Sequence, residues 1–362
     1  EGAAMTRCER LALALLFGPG SSSAALLLSA DPDWNPFVME EAGMARASLP
    51  AMRRIMRKIF CEGEAALERA RAIEERSARL GLQILLPGDP DWPVQCNALY
   101  APPLALYLRG DASILTKRST TMIGTRQPTA RALLLACDLA AILAKSGTPV
   151  LSGGAFGIDA AAHAGALDAG GKTIAVLAGG LDRLHPREHA LLFGRIAERG
   201  ALVSESPPGT PAQGWRFPVR NRLMAALGSE LILVQAPLRS GTHSTVVEAL
   251  ALGREVRVCP WSPECVEGAG CMQLAGMGAE LIVTGRELSD QVDGEMSQIE
   301  SRGDEVLCAV HAAILQGFAT TDDLVALTGL PVETVMTQCM RLELEDRIRR
   351  YGTLGYGPGK AA

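Results

Sequence analysis

Short apolar runs alternate with amphipathic stretches over the middle of the chain. The runs that predict β-strands are Thr121–Ile123, Pro149–Leu151, Thr173–Leu177, Leu202–Ser204, Leu231–Val234, Glu255–Val258 and Glu280–Val283. The stretches that predict helices between them are Arg131–Lys145, Ala160–Ala169, His189–Arg199, Asn221–Leu227 and Thr245–Leu252. Short connections between such elements predict a mostly parallel sheet covered on both faces, an extended Rossmann-like α/β fold.

The first part of the chain has a different pattern. Leucines at helical spacing, and further helices at Met52–Phe60 and Glu64–Arg79, predict a helical N-terminal domain over residues 5–80. Its Gly18–Gly20 turn is typical of a SAM-like or helix-hairpin-helix unit, but the turn carries no Lys or Arg, which equally favours a small helical interaction bundle. The Rossmann-like domain is then expected over residues 81–288, and it begins with an extended lead-in.

A polar segment at residues 289–303 reads as a linker to a small C-terminal domain at residues 304–356. The pattern predicts a winged helix, with helices at Glu305–Leu315, Thr321–Thr328 and Pro331–Leu342 and a wing after Arg347. The helix in the recognition position carries Arg341 as its positive charge, which favours a protein-contact or regulatory role over DNA reading.

Polar, glycine-containing turns follow several predicted strands. These turns are Gly124–Arg126, Ser152–Asp159 and Arg239–Thr245, and the basic run Arg216–Arg222 is expected to lie close by. Ligands of such sheets bind at the carboxyl ends of the strands, where free N–H groups at helix starts attract phosphate. The turns therefore predict a phosphate-binding edge.

Composition narrows the class of protein. The chain has 362 residues, is 48% apolar and carries a net charge of −5. No apolar run has membrane-spanning length, and the first residues lack the order of a secretory signal. Nine cysteines without a CxxC pair predict reduced thiols, with no metal site and no cofactor.

Local charge differs from the global value. Residues 211–260 contain six arginines and three glutamates, namely Arg216, Arg220, Arg222, Arg239, Arg254 and Arg257 against Glu230, Glu248 and Glu255. A local basic patch is enough to capture phosphates, even in an acidic protein. The alternative is that these arginines are spread over a solvated surface.

The motifs, taken together, resemble the DNA-processing protein A family, also called DprA or Smf. The matching segments, in chain order, are Asp89–Pro93, Pro102–Gly110, Gly124–Arg126, Ser152–His163, Gly171–Leu177, Gly180–Asp182, Ser204-Glu205, Phe217–Arg222 and Ser240–Thr242. The chain departs from the family pattern at Ser240–Val246, Pro260-Trp261 and Gly268–Ala275, which concerns one side of the expected pocket.

The resemblance implies a cytoplasmic, dimeric, non-catalytic protein. Such a protein binds single-stranded DNA, protects incoming strands during natural transformation and helps to load the RecA recombinase. Gly228–Pro237 would lie at the dimer interface. Carried over by motif, the DNA-binding residues would be Thr125, Arg126, Ser152, Gly153, Gly154, Phe156, Lys172, Arg220, Asn221, Arg222 and Ser240.

The residue types agree in part with that assignment. Arg126, Lys172, Arg220 and Arg222 could neutralise phosphates, and Ser152 with the amides of Gly153 and Gly154 could cradle one. Phe156 could stack on a base or simply pack the turn. The alternative for Arg220 and Arg222 is a surface salt bridge, but two arginines that flank an asparagine at a helix start favour the DNA-binding role.

Three other functions stay open. Gly241–Glu248 loosely resembles the motif of LOG-type nucleotide phosphoribohydrolases, in which Glu248 would act with Arg220 or Arg222. Ser152, Asp159 and His163 could form a hydrolase triad, although no G-x-S-x-G elbow is present. A nucleotide-binding regulator is the third, although no strict G-x-G-x-x-G follows the first strand.

Overall fold

The computed structural model describes residues 5–23, 35–37, 50–282, 320–328, 332–344, 348–350 and 356–358. The chain divides into two compact units, Glu1–Gly285 and Arg286–Ala362. No helix among the described residues is long and apolar enough to cross a membrane.

The first unit is built on a nine-stranded sheet in the order β1-β2-β6-β5-β4-β3-β7-β8-β9. Its strands are β1 (Gln83–Leu85), β2 (Leu106–Gly110), β3 (Thr120–Ile123), β4 (Val150–Ser152), β5 (Thr173–Leu177), β6 (Ala201–Ser204), β7 (Glu230–Leu233), β8 (Glu255–Val258) and β9 (Glu280–Leu281). From β6 to β9 all neighbours pair in parallel, whereas β1 and β2 run antiparallel. The predicted mostly parallel α/β fold is confirmed.

Eight helices of the first unit are described. They are α1 (Arg7–Phe17), α2 (Pro50–Arg79), α3 (Ala130–Lys145), α4 (Ile158–Asp168), α5 (Ala190–Arg199), α6 (Arg216–Leu227), α7 (Thr242–Ala251) and α8 (Ala269–Gly276). Short 3₁₀ turns lie at Val94–Ala98, Ala112–Thr116, Arg187–His189 and Val266–Gly268.

Two helix predictions need correction. A single helix, α2, contains both predicted helices, Met52–Phe60 and Glu64–Arg79. Gly63 is buried within it, and a Cβ at this position would lie 3.3 Å from the Phe37 ring. One glycine costs a helix only about 1 kcal/mol, and packing of this kind offsets such a cost. Helix α6 begins at Arg216 rather than Asn221, because Pro218 lies in its first turn, where the missing N–H has no helical partner in any case.

The N-terminal helices and the sheet share one hydrophobic core. Leu11 and Ile55 belong to the same buried cluster as Tyr107, Leu177 and Phe193. At the edge of this cluster Arg76 of α2 forms an ion pair with Asp182, 2.6 Å between Nη2 and Oδ2. The boundary at residue 80 stays a prediction, since these contacts join the helices to the sheet in one unit.

The Gly228–Pro237 segment contains β7, which lies between β3 and β8. Residues from Glu230 to Ala236 are buried. The segment therefore offers little surface to a second copy of the chain, contrary to its expected place at a dimer interface.

The described part of the second unit contains α9 (Thr321–Thr328), α10 (Val332–Leu344) and an antiparallel pair of strands, β10 (Ile348–Arg350) and β11 (Tyr356–Pro358). Leu324, Val335 and Cys339 form its core with Leu342, Ile348 and Tyr356. These elements agree with the predicted second helix, third helix and wing. The helix predicted at Glu305–Leu315 lies outside the described residues.

Candidate nucleic-acid interface

The carboxyl edge of the parallel strands gathers most of the predicted site residues. The turn Gly124–Arg126 follows β3, Ser152–Gly157 follows β4, and Pro237–Ser240 follows β7. Helix α6 starts at the same edge and carries Arg220, Asn221 and Arg222.

The turn after β4 is tightly packed and leaves its serine no free hydroxyl. Ser152 is fully buried, and its Oγ donates to the carbonyl oxygen of Met122, 2.6 Å away. Gly154 has a φ of +69°, and a Cβ there would lie 2.6 Å from the Phe193 ring. The turn needs glycine for these close approaches.

Arg220 lies beneath this turn rather than at the surface. Its guanidinium occupies the space that a side chain at Gly153 would need, and its Nη1 donates to the carbonyl oxygen of Val176, 2.7 Å away. Burial lowers the pKa of Arg220 to about 10, although the nearby carboxylate of Asp159 opposes that shift. Burial likewise raises the pKa of Asp159 despite the attraction of Arg220.

Asn221 and Arg222 are also engaged within the protein. Arg222 forms a buried ion pair with Glu205, which in addition accepts a hydrogen bond from the amide of Gly20. The Nδ2 of Asn221 donates to the Oγ of Ser244, 2.9 Å away. These two side chains therefore join α6 to its neighbours.

Arg126 is the exposed arginine of the set. Its guanidinium carbon lies 5.2 Å from the centre of the Phe217 ring, a cation–π distance. Around it lies a small depression, called here the aromatic cleft, which is lined by Arg126, Gly153, Ala155, Phe156, His185, Pro186 and Phe217. The cleft combines a cation with aromatic rings.

Phe156 is 45% exposed at the rim of this cleft. One side packs edge-on against His189, with 4.7 Å between ring centres, and His189 in turn contacts Phe193. One part of the ring thus packs against His189 while the rest is open to solvent.

Thr125 and Ser240 border the edge through backbone and turn contacts. The amide of Thr125 donates to the carbonyl oxygen of Gln235 and its own carbonyl oxygen accepts from the amide of Ile158, which ties the β3 turn to α4. The Oγ of Ser240 accepts from the hydroxyl of Thr242, 2.8 Å away, at the start of α7.

Lys172 is not brought to this edge. It precedes β5 and so lies at the amino-terminal edge, where its Nζ is 3.1 Å from Oδ2 of Asp111. Both side chains are well exposed there. Lys172 precedes its strand and Arg126 follows its strand, so in a parallel sheet the two residues lie at opposite edges.

Sequence reasoning missed His185 and Phe217 as cleft residues. Phe217 lies within the basic run Arg216–Arg222, between Arg216 and Pro218. His185 follows the Gly180–Asp182 turn after β5, so a search for ring side chains in loops after parallel strands could have found it.

The predicted Ser152, Asp159 and His163 triad is not formed, because His163 bonds to Thr173 instead. The Nδ1 of His163 is 2.7 Å from the hydroxyl of Thr173, and that hydroxyl donates to the carbonyl oxygen of Val150, so His163 is part of the packing between α4 and the sheet. In the described part of the chain, neither Arg220 nor Arg222 forms an ion pair with Glu248. Nor do the described residues contain three or more His, Cys, Asp or Glu side chains placed to hold a metal ion.

The fold and the cleft define a class of protein: a Rossmann-like domain whose carboxyl edge presents cations and rings, joined in sequence to a second small unit. Residues 83–293 match the family described as DNA recombination-mediator protein A, and residues 304–352 match the DprA winged helix domain. The chain therefore belongs to the DNA recombination-mediator protein A family, and its C-terminal domain is a winged helix.

Individual relatives agree with this assignment. A Mycobacterium tuberculosis protein that bears the DprA name is 37% identical over 323 residues, which is 82% of this chain and 83% of that protein. The X-ray structure of Streptococcus pneumoniae DprA superposes with a TM-score of 0.67 at 26% identity, covering 81% of this chain and all of that one. A Helicobacter pylori DprA structure, described for its single-stranded DNA binding mode, gives 0.53 at 29% identity over 58% of this chain and 94% of that one.

Proposed function

We propose that this chain binds single-stranded DNA at the carboxyl edge of its sheet, protects incoming strands during natural transformation and helps to load RecA, acting by binding and without turnover. Family membership supports the DNA-processing role. The single-stranded DNA described for the Helicobacter pylori relative supports the choice of ligand.

The observation that carries the proposal is the aromatic cleft. An exposed arginine beside rings suits a single strand, because phosphates need cations and unstacked bases need flat apolar surfaces. Arg126 supplies the charge, while Phe156 and Phe217 supply the rings. Arg220 would act from below by holding the turn at Gly153 in place.

The test is binding of a poly-dT oligonucleotide and of the matching duplex, measured by fluorescence anisotropy over a salt series. The wild type is expected to prefer the single strand and to lose affinity steeply with salt, by about 0.7 log units per log unit of salt for each phosphate neutralised. Arg126→Ala should weaken single-strand binding about tenfold, since hydrogen bonds to a charged group contribute about 1.5 kcal/mol.

Arg118→Ala is the matched control, because it removes the same charge from an exposed position before β3, at the opposite edge. Lys172→Ala tests whether DNA also reaches that edge. Arg126→Ala binding as tightly as Arg118→Ala, or a salt-insensitive wild type, would contradict the proposed site.

The RecA and homodimer parts of the proposal rest on the family. They are tested by RecA assembly on single-stranded DNA with and without this chain, and by the mass of the chain in solution. Release of free base from a nucleoside monophosphate, abolished in Glu248→Gln, would instead favour the phosphoribohydrolase alternative.

A further inference from the structure

Trp215 is a large exposed ring outside the aromatic cleft. It directly precedes α6 and is 55% exposed, whereas Trp92 and Trp261, the other tryptophans in the described part of the chain, are buried. An exposed tryptophan leaves a large apolar area in water. A ligand that covers the ring would bury that area, which favours binding.

The ring is held in a defined position although it is exposed. Its Nε1 donates to the Oε1 of Gln213, 3.0 Å away, and the guanidinium carbon of Arg216 lies 4.2 Å from the ring centre. Arg216 is itself anchored, because its Nη1 donates to the hydroxyl of Ser206, 3.2 Å away. A ring fixed in this way loses little conformational entropy when a ligand covers it.

Trp215 also lies close in sequence to the aromatic cleft. Phe217, two residues further along, lines the cleft beneath Arg126, and Arg216 lies between the two rings in sequence. The start of α6 therefore carries two rings and a guanidinium group within three residues, at the same edge as the aromatic cleft. Single-strand binding surfaces combine these two features, since bases stack on rings while cations follow the phosphates.

We propose that Trp215, positioned by Gln213 and Arg216, is a second stacking platform for a base of the single strand that leaves the aromatic cleft. This inference rests on the proposed function and adds a subsite to it. The occupant is a nucleobase because a flat, sequence-independent ring surface beside a guanidinium matches an unpaired base and its phosphate.

Affinity measurements test the platform directly. Trp215→Ala is expected to weaken poly-dT binding about fivefold or more, the equivalent of ~1 kcal/mol at ~1.4 kcal/mol per factor of ten, whereas Trp215→Phe should keep most of the affinity. Phe60→Ala is the control. It removes another exposed ring, 16 residues before Arg76 on α2 and thus about 24 Å along the helix from the contact with Asp182.

Intrinsic tryptophan fluorescence distinguishes base stacking on Trp215 from a purely structural role of this residue. Stacking of thymine on Trp215 should quench the tryptophan emission of the wild type as oligonucleotide is added. The quenching should disappear in Trp215→Phe even though that variant still binds by anisotropy.

The outcomes separate this inference from the proposed function. If the wild type binds the single strand and Trp215→Ala binds equally well, the platform is wrong and the proposed function stands. If Trp215→Ala weakens duplex binding as much as single-strand binding, base stacking is also excluded. A wild type that binds no single strand overturns the proposed function and this inference together.

Discussion

At the scale of the residue, His163 shows how a buried histidine between α4 and the sheet finds a hydrogen-bond partner. The Thr173 hydroxyl donates to Val150, so it can only accept from His163, and the Nδ1 must carry the proton. Burial, helped by His189 and Arg220, lowers the pKa of His163 to about 3. The ring is therefore neutral in the folded protein.

This pKa predicts a loss of stability in mild acid. An unfolded histidine takes up a proton below about pH 6.5, and the folded one does not until about pH 3, so the free energy of unfolding falls as pH drops through that window. At pH 5 the loss from this group should be about 2 kcal/mol relative to pH 7. His163→Gln should lack it, although that variant starts out less stable at pH 7.

Urea unfolding of the two proteins at pH 7 and pH 5 measures the difference. The wild type and His163→Gln should converge in stability as the pH falls. Parallel behaviour of the two would mean that His163 titrates alike in the folded and unfolded states.

At the scale of the element, α6 connects the N-terminal helices to the sheet edge. Its Arg222 pairs with Glu205, and Glu205 also accepts from the amide of Gly20 in the turn after α1. Gly20 has a φ of +73°, and a Cβ there would lie 2.9 Å from Val219 of α6. Three parts of the chain thus meet around one buried carboxylate.

Breaking the Arg222–Glu205 pair should destabilise the fold as a whole, so any loss of DNA binding would follow from unfolding. Arg222→Met leaves Glu205 buried without its cation and should cost about 3–5 kcal/mol of stability. Burial already raises the pKa of Glu205 even with Arg222 present, so the deficit of the variant should shrink at low pH as the carboxyl takes up a proton.

The double variant Arg222→Met/Glu205→Gln should recover a substantial part of the loss, because it removes both charges. Chemical denaturation of the single and double variants gives the coupling energy. An Arg222→Met protein as stable as the wild type would show that the pair contributes nothing. For this reason a test of DNA binding should use Arg126 rather than Arg220 or Arg222.

At the scale of the whole molecule, all residues of the aromatic cleft and Trp215 lie in the first unit, which has its own core. A chain that ends at Gly285 should therefore bind poly-dT within about threefold of the full chain, a difference under ~1 kcal/mol. Anisotropy measures this, with thermal unfolding to show that the shortened chain is folded. Loss of binding by a folded truncation would assign part of the DNA site to the winged helix.

Much of the architecture could be predicted from the sequence. The period of apolar positions indicated each parallel strand to within a residue or two, and glycine-containing turns marked where the strands end. The prediction failed where local signals conflict with packing: Gly63 does not interrupt α2, and Pro218 does not delay the start of α6.

What the sequence determined alone is the order of the elements, the positions of the polar turns and the family to which the chain belongs. These depend on local periodicity and on motif spacing, both of which are visible in the order of residues along the chain. Tertiary structure alone decided which basic residues face solvent. Arg126, Arg220 and Lys172 look alike in sequence, but one lies exposed over Phe217, one is buried beneath Gly153, and one lies at the opposite edge beside Asp111. The physical reason is that exposure and distance depend on contacts between segments far apart in the chain, and no local pattern encodes them.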